Sequence, residues 1–157
     1  MTSKPRFVYV TYIASTPDKV WDALTNGEAT KDYWWRHCNE SDWKVGSEWR
    51  HEDYDNPRTV DIVGTVVESR WPTRLVVTWA DPAEAADRSK HSRVTYTIEP
   101  LEDVVRLTVT HEDLEPGSAM LDGITKGWPA VLSSLKSYLE TGRPLSIATK
   151  RTQGPPA

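Results

Sequence analysis

The chain has 157 residues, 17.8 kDa and a formal net charge of -4, with 19 basic and 23 acidic residues interleaved along it. That is the size of one domain, able to bury roughly 70% of the surface its unfolded chain exposes. The one basic cluster, Lys150-Arg151, stands near the end, and no stretch approaches the ~18 apolar residues of a membrane span, so nucleic-acid binding and membrane insertion are both disfavoured.

The single Cys38 cannot make an internal disulfide, and no Cys/His pair has the short spacing of a structural zinc site. With no apolar signal core in Met1 to Arg6, a cytoplasmic location is the expectation, and neither a metal nor a cofactor is implied. Aromatic usage is unusual: eight Trp and six Tyr stand against one Phe. Trp and Tyr combine an apolar body with a polar tip, which suits surfaces that are dry on one side and meet water or a ligand on the other.

Phe7 to Ile13 is β-branched and aromatic, as a strand requires. Thr16-Pro17-Asp18 then opens a short helix, with Thr16 as cap, Pro17 at the first position and Val20, Trp21 and Leu24 on the buried side, until Asn26-Gly27 ends it. A second short helix is expected over Glu28 to Trp35, followed by a polar, irregular Cys38 to Lys44. Strands resume at Ser47 to Tyr54, with Trp49 and His51 in one phase. Thr59 to Arg70 is a long strand in which Gly64 marks a bulge or bend. Arg74 to Trp79, Arg93 to Glu99 and Val104 to Glu112 complete an antiparallel meander of about six strands, interrupted from Ala80 to Ser92 by a charged, Ala-rich stretch that reads as a long hairpin loop or a mobile lid.

An apolar stripe at steps of three and four follows, through Leu121, Ile124, Trp128, Val131, Leu132, Leu135, Tyr138 and Leu139. It predicts a long helix from about Ala119 to Thr141, bent or restarted at Pro129 and closed by Gly142. The stripe must cover something, and the partner is the concave side of the sheet, with Trp128 facing it. One domain is expected over residues 1 to 157, with its core at about 7 to 142 and a mobile tail from 143 to 157.

This order, an α+β arrangement of strand, two short helices, five strands and terminal helix, is that of the helix-grip fold. The strings Ala14-Ser15-Thr16-Pro17-Asp18-Lys19-Val20-Trp21-Asp22-Ala23-Leu24-Thr25, Trp34-Trp35, Val45-Gly46-Ser47, Gly64-Thr65-Val66-Val67-Glu68, Arg74-Leu75-Val76-Val77-Thr78-Trp79 and Gly127-Trp128-Pro129-Ala130-Val131-Leu132-Ser133-Ser134-Leu135-Lys136 resemble stand-alone bacterial members of the Hsp90-ATPase-activator-like family, in the START-like, or SRPBCC, superfamily. The resemblance implies a Bet v 1-like grip whose cavity holds apolar small molecules, and in some members cyclisation, hydration or hydrolysis of them. It also implies a chaperone or regulatory protein as partner. The eukaryotic activators carry a separate chaperone-binding N-terminal domain, for which this chain has no room.

Strand phase turns Trp49, His51, Val94, Tyr96, Val105, Leu107, Val109 and His111 inward, opposite Trp128 and Leu132. The Trp34-Trp35 pair either caps the entrance, with Trp34 at the rim, or sends one of its two rings into the core beside Trp21, and the inward set forms either an apolar pocket with a few orienting polar groups or a filled core. Three function classes stay open: a carrier or sensor of a hydrophobic, aromatic small molecule, a protein-interaction module, and an enzyme of the cyclase or hydrolase kind on a hydrophobic substrate, using His51, His111 or a pocket carboxylate. Glu52, Asp53, Glu112 and Asp113 line the mouth or stay solvated. His51-Glu52-Asp53 is a poor metal site, because adjacent strand residues point to opposite faces. Monomer and homodimer are equally compatible with the sequence.

Overall fold

A computed structural model describes residues 4–57 and 59–149; Lys150, Arg151 and the rest of the expected tail lie outside the described residues. The first strand, β1 (Phe7–Ile13), turns Val8, Val10 and Tyr12 outward and Phe7, Tyr9, Thr11 and Ile13 toward the interior. Helix α1 (Pro17–Thr25) starts at Thr16, whose extended backbone caps it without a side-chain bond to the helix. The Thr16 hydroxyl instead bonds the Asp18 carboxylate and holds that carboxyl below its usual range. Asn26 ends α1 and starts α2 (Gly27–Tyr33), its side chain accepting from the Glu28 amide at 3.0 Å.

The strands β2 (His37–Glu40), β3 (Glu48–Asp53), β4 (Val60–Arg70), β5 (Arg74–Trp79), β6 (Ser92–Leu101) and β7 (Val104–Glu112) join β1 in one antiparallel sheet of order β1-β7-β6-β5-β4-β3-β2. The first two helices carry the chain from one edge of this sheet to the other. Seven strands replace the expected six because β2 lies in the segment read as irregular. It is four residues long and not β-branched, and it follows Trp35 and Arg36, which hold left-handed φ angles of 44° and 60°. That turn is secured from outside: the Trp35 amide donates to the Ala148 carbonyl at 2.8 Å, and the Arg36 carbonyl accepts from the Tyr54 amide at 2.8 Å.

Gly64 serves close approach and not a bulge; the register shifts fall at His51/Glu52 and Val66/Glu68. The Trp49 indole reaches past position 64 to donate to the Thr78 carbonyl at 2.7 Å, and a side chain there would overlap both partners.

Helix α3 (Ala119–Thr141) begins at Ser118, whose hydroxyl accepts from the Leu121 amide at 3.1 Å, and ends at Gly142 with φ 79°. It runs unbroken through Pro129. Ile124, Trp128, Val131, Leu132 and Leu135 are completely buried against the sheet. None of the described helices is long and apolar enough to cross a membrane. Residues 143–149, expected as the start of a mobile tail, are instead docked: the buried Ser134 hydroxyl accepts from the Leu145 amide at 3.1 Å, the Trp35 indole donates to the Ile147 carbonyl at 2.9 Å, and Ala148 is fully buried. Because Leu135 sits at zero exposure in the middle of the stripe, Leu135→Ala is expected to destabilise the fold by about 2–5 kcal/mol in urea melts. A loss below ~0.5 kcal/mol would place its side chain outside the core.

Candidate functional site

The middle of the gripped surface is a network of rings. Trp128 projects from α3 and meets Trp34 at 5.4 Å, Trp79 at 5.6 Å and Tyr96 at 6.0 Å between centroids. His111 approaches it from β7, where the Trp128 indole donates to His111 Nδ1 at 3.1 Å. An indole nitrogen is a donor only, so Nδ1 must be the bare nitrogen and the proton sits on Nε2. From there the bond continues outward: Nε2–H donates to the Ser92 hydroxyl at 2.8 Å, and that hydroxyl donates to the Trp79 carbonyl at 3.0 Å. Burial pushes the His111 pKa down to about 3, so this chain is neutral throughout the physiological range.

His51 repeats the theme on the other half of the sheet. Its cross-strand partner Asn39 spends its amide N–H on the Leu24 carbonyl at 3.1 Å, which turns the amide oxygen toward His51 Nδ1 at 2.7 Å. The proton is therefore on Nδ1, and Nε2 faces the interior as an acceptor. His37 stacks on this ring at 4.6 Å and 8°. Both His37 nitrogens meet oxygens, the Trp35 carbonyl at 2.8 Å and the Asp61 carboxylate at 2.5 Å. Burial first, and the neighbouring His37 second, hold the His51 pKa well below that of a free imidazole.

Every residue expected on the interior, Trp49, His51, Tyr96, Leu107, Val109, His111, Trp128 and Leu132, is buried there. Trp34 is a correction. It lies at zero exposure between Tyr33, His51 and Trp128 instead of at a rim, because the left-handed turn after it folds the chain back over the ring. Trp79, His37, Asn39 and Ser92 are participants that the sequence reading did not single out. Trp79 was accessible to it, since Leu75, Val77 and Trp79 share one strand phase. Of the carboxylates, Asp113 borders a surface cleft, whereas Asp53 accepts the Asp55 and Asn56 amides at 2.8 and 3.1 Å and organises a turn.

Residues 14–140 match the family model described as activator of Hsp90 ATPase homolog 1-like protein. The chain belongs to this family. Among solved structures, it is similar to an HSP90 activator from Plasmodium falciparum at 19% identity and TM-score 0.69, covering 85% of this chain and 95% of that one. The Aha1 dimer from Colwellia psychrerythraea also shares 19% identity, with TM-score 0.69 over 88% and 98% of the two chains. The protein ChR145 from Cytophaga hutchinsonii reaches 25% identity and TM-score 0.68 over 88% and 96%. These likenesses support the helix-grip fold. A search of the curated proteins finds no match.

Within this family member, the hydrogen bonds decide which chemistry the histidines can perform. Ser92 and His111 look like a nucleophile and base by distance alone, but the base nitrogen is blocked: His111 already carries its proton on the nitrogen facing Ser92. Cys38 is buried, and its thiol is pushed up to about 11, mainly by desolvation. No group of three or more metal-ligating side chains is assembled among the described residues. The cleft bordered by Asp113 has a volume of about 140 Å3; Trp79, Ala80, Ser92, Leu114 and Met120 line it beside the start of α3, together with the charged side chains of Asp81, Glu84, Lys90 and Glu115.

The neutral His111 links stability to pH. Its folded pKa of about 3 lies below the ordinary 6.5, so the unfolded chain binds the additional proton between those values. Its contribution is complete above pH 6.5 and is lost as the pH falls toward 3. In urea melts at stepped pH, wild type should lose up to about 1.4 kcal/mol per pH unit more than His111→Gln across that window. Parallel profiles would mean that His111 titrates normally in the folded state.

Proposed function

We propose that the chain binds a hydrophobic, aromatic small molecule between α3 and the sheet, as a carrier, sensor or sequestering protein. The observation that carries this reading is the cleft of about 140 Å3 whose inner wall is Trp79, Ser92, Leu114 and Met120. A cavity of about 150 Å3 holds a benzene ring, so the cleft matches one aromatic ring, and a larger ligand enters by displacing Trp79 or Met120. Behind the wall, Trp34, Trp128, Tyr96 and Leu132 supply apolar and aromatic surface, while His51 and His111 supply polarity without charge. That combination suits orientation of a neutral ligand. It suits proton transfer poorly, since burial lowers the basicity of both imidazoles and the His111 proton already faces Ser92.

A second reading, a chaperone-linked or regulatory interaction module, is supported by the outer row of edge strand β1. There Val8, Val10 and Tyr12 are 47%, 46% and 50% exposed, a large apolar presence for a strand that, among the described residues, has a sheet neighbour on only one side. A partner protein or a second copy of the chain would use that row. The interior reading comes first because it accounts for the concentration of Trp and for the cleft together.

The test is a thermal-shift screen of aromatic polyketides, flavonoids and lipids, followed by calorimetric titration of a compound that raises the melting temperature. Met120→Trp, which fills the cleft from a partly exposed position at the start of α3, should weaken that compound at least ~10-fold while the melting temperature of the free protein changes little. Unchanged affinity in the folded variant would move binding away from the cleft.

A further inference from the structure

Three polar atoms of the interior, the indole N–H groups of Trp34 and Trp79 and the bare Nε2 of His51, are buried without a hydrogen-bond partner among the described residues. Comparable groups nearby are matched. The Trp49 indole reaches the Thr78 carbonyl, the Trp128 indole reaches His111, and the Tyr33 hydroxyl donates to the Ala23 carbonyl at 2.7 Å. Burying a donor or acceptor unmatched is costly, and native interiors rarely do it. The three rings form one connected cluster: His51 lies 5.0 Å from Trp34 and 6.3 Å from Trp79 between centroids, and Trp128 touches both tryptophans.

The set has a definite polarity. Asn39 fixes the His51 proton on Nδ1, so Nε2 can only accept, while each indole can only donate. Two donors and one acceptor, none formally charged, are the complement of a hydroxyl group. A hydroxyl placed among the three rings would take the indole N–H bonds on its oxygen and give its proton to Nε2. A carboxylate has no proton to give Nε2, and an ammonium leaves both indoles unmatched. Trp79 also forms part of the cleft wall, so a ring entering there arrives beside one of the three side chains.

We infer that the interior selects aromatic ligands bearing a neutral hydroxyl, of the phenol type, and that Trp34, Trp79 and His51 are the specificity residues. This rests on the reading above that the interior binds an aromatic molecule, and it names the polar group such a molecule carries.

Phenol and toluene, nearly equal in size, make the test pair, titrated into the 15N-labelled chain and followed by NMR. Phenol should bind at least ~10-fold more tightly, as expected where a hydroxyl satisfies buried groups that a methyl leaves unpaired. Its binding should shift the indole N–H resonances of Trp34 and Trp79 and the Nε2 resonance of His51. Trp79→Phe and Trp34→Phe, which keep an aromatic ring and lose the N–H, should each reduce the advantage of phenol with little change in toluene binding. Equal affinity for the two compounds would overturn the hydroxyl inference and leave the aromatic site standing. A phenol preference without movement of those three resonances, or one unchanged in both variants, would overturn it as well. Binding of neither compound would remove the aromatic site and this inference with it.

Discussion

The hydrogen bond from the Trp128 indole to His111 Nδ1 joins the terminal helix to the sheet at the centre of the interior. Apolar packing alone would let a helix slide or rotate on a sheet at small cost, because dispersion and burial are not directional. A buried donor with one available acceptor is directional, and breaking the bond strands two polar groups at roughly 1–3 kcal/mol each. The same bond sets the His111 tautomer. Through Ser92 it reaches the Trp79 carbonyl, so one bond relates α3 to β7, β6 and β5. The left half of the same interior is ordered by a parallel device, in which Asn39 fixes His51.

These two devices determine what kind of site the fold can contain. Both imidazoles are desolvated and neutral, and each already has its proton assigned by a neighbour that cannot reverse roles: an indole that only donates, and an amide whose N–H is used elsewhere. The result is fixed polarity in an apolar, ring-lined space. Such a space is suited to orienting a neutral ligand. For His111 to act as a base toward Ser92 it would have to lose the indole that positions it, whereas His51 keeps a bare Nε2 inside the interior whose basicity burial lowers.

Much of this was legible in the sequence for simple reasons of period. Val105, Leu107, Val109 and His111 alternate cleanly on β7, and the α3 stripe repeats at three and four, so which side chains point inward could be counted. The missed features depend on contacts between residues distant in sequence. β2 has no strand signature of its own and exists because the left-handed Trp35-Arg36 turn presents it to β3. That turn is held partly by the Ala148 carbonyl, more than 100 residues away, which is also why 143–149 is docked and Trp34 is interior. Gly64 read as a break in a strand, whereas its role is set by an indole from the neighbouring strand. The hydrogen-bond identities of His51 and His111, on which the chemistry turns, were invisible to period altogether.

We propose that a partner molecule sits in the gripped interior and not on the outer face of the sheet. Intermolecular nuclear Overhauser effects locate it most directly, measured between the ring protons of a bound aromatic compound and the assigned protein. Contacts to the Met120 methyl and to the indole protons of Trp79 and Trp128 are the predicted result. Contacts confined to Val8, Val10 and Tyr12, with the interior silent, would contradict the account and make the outer face of β1 the functional surface.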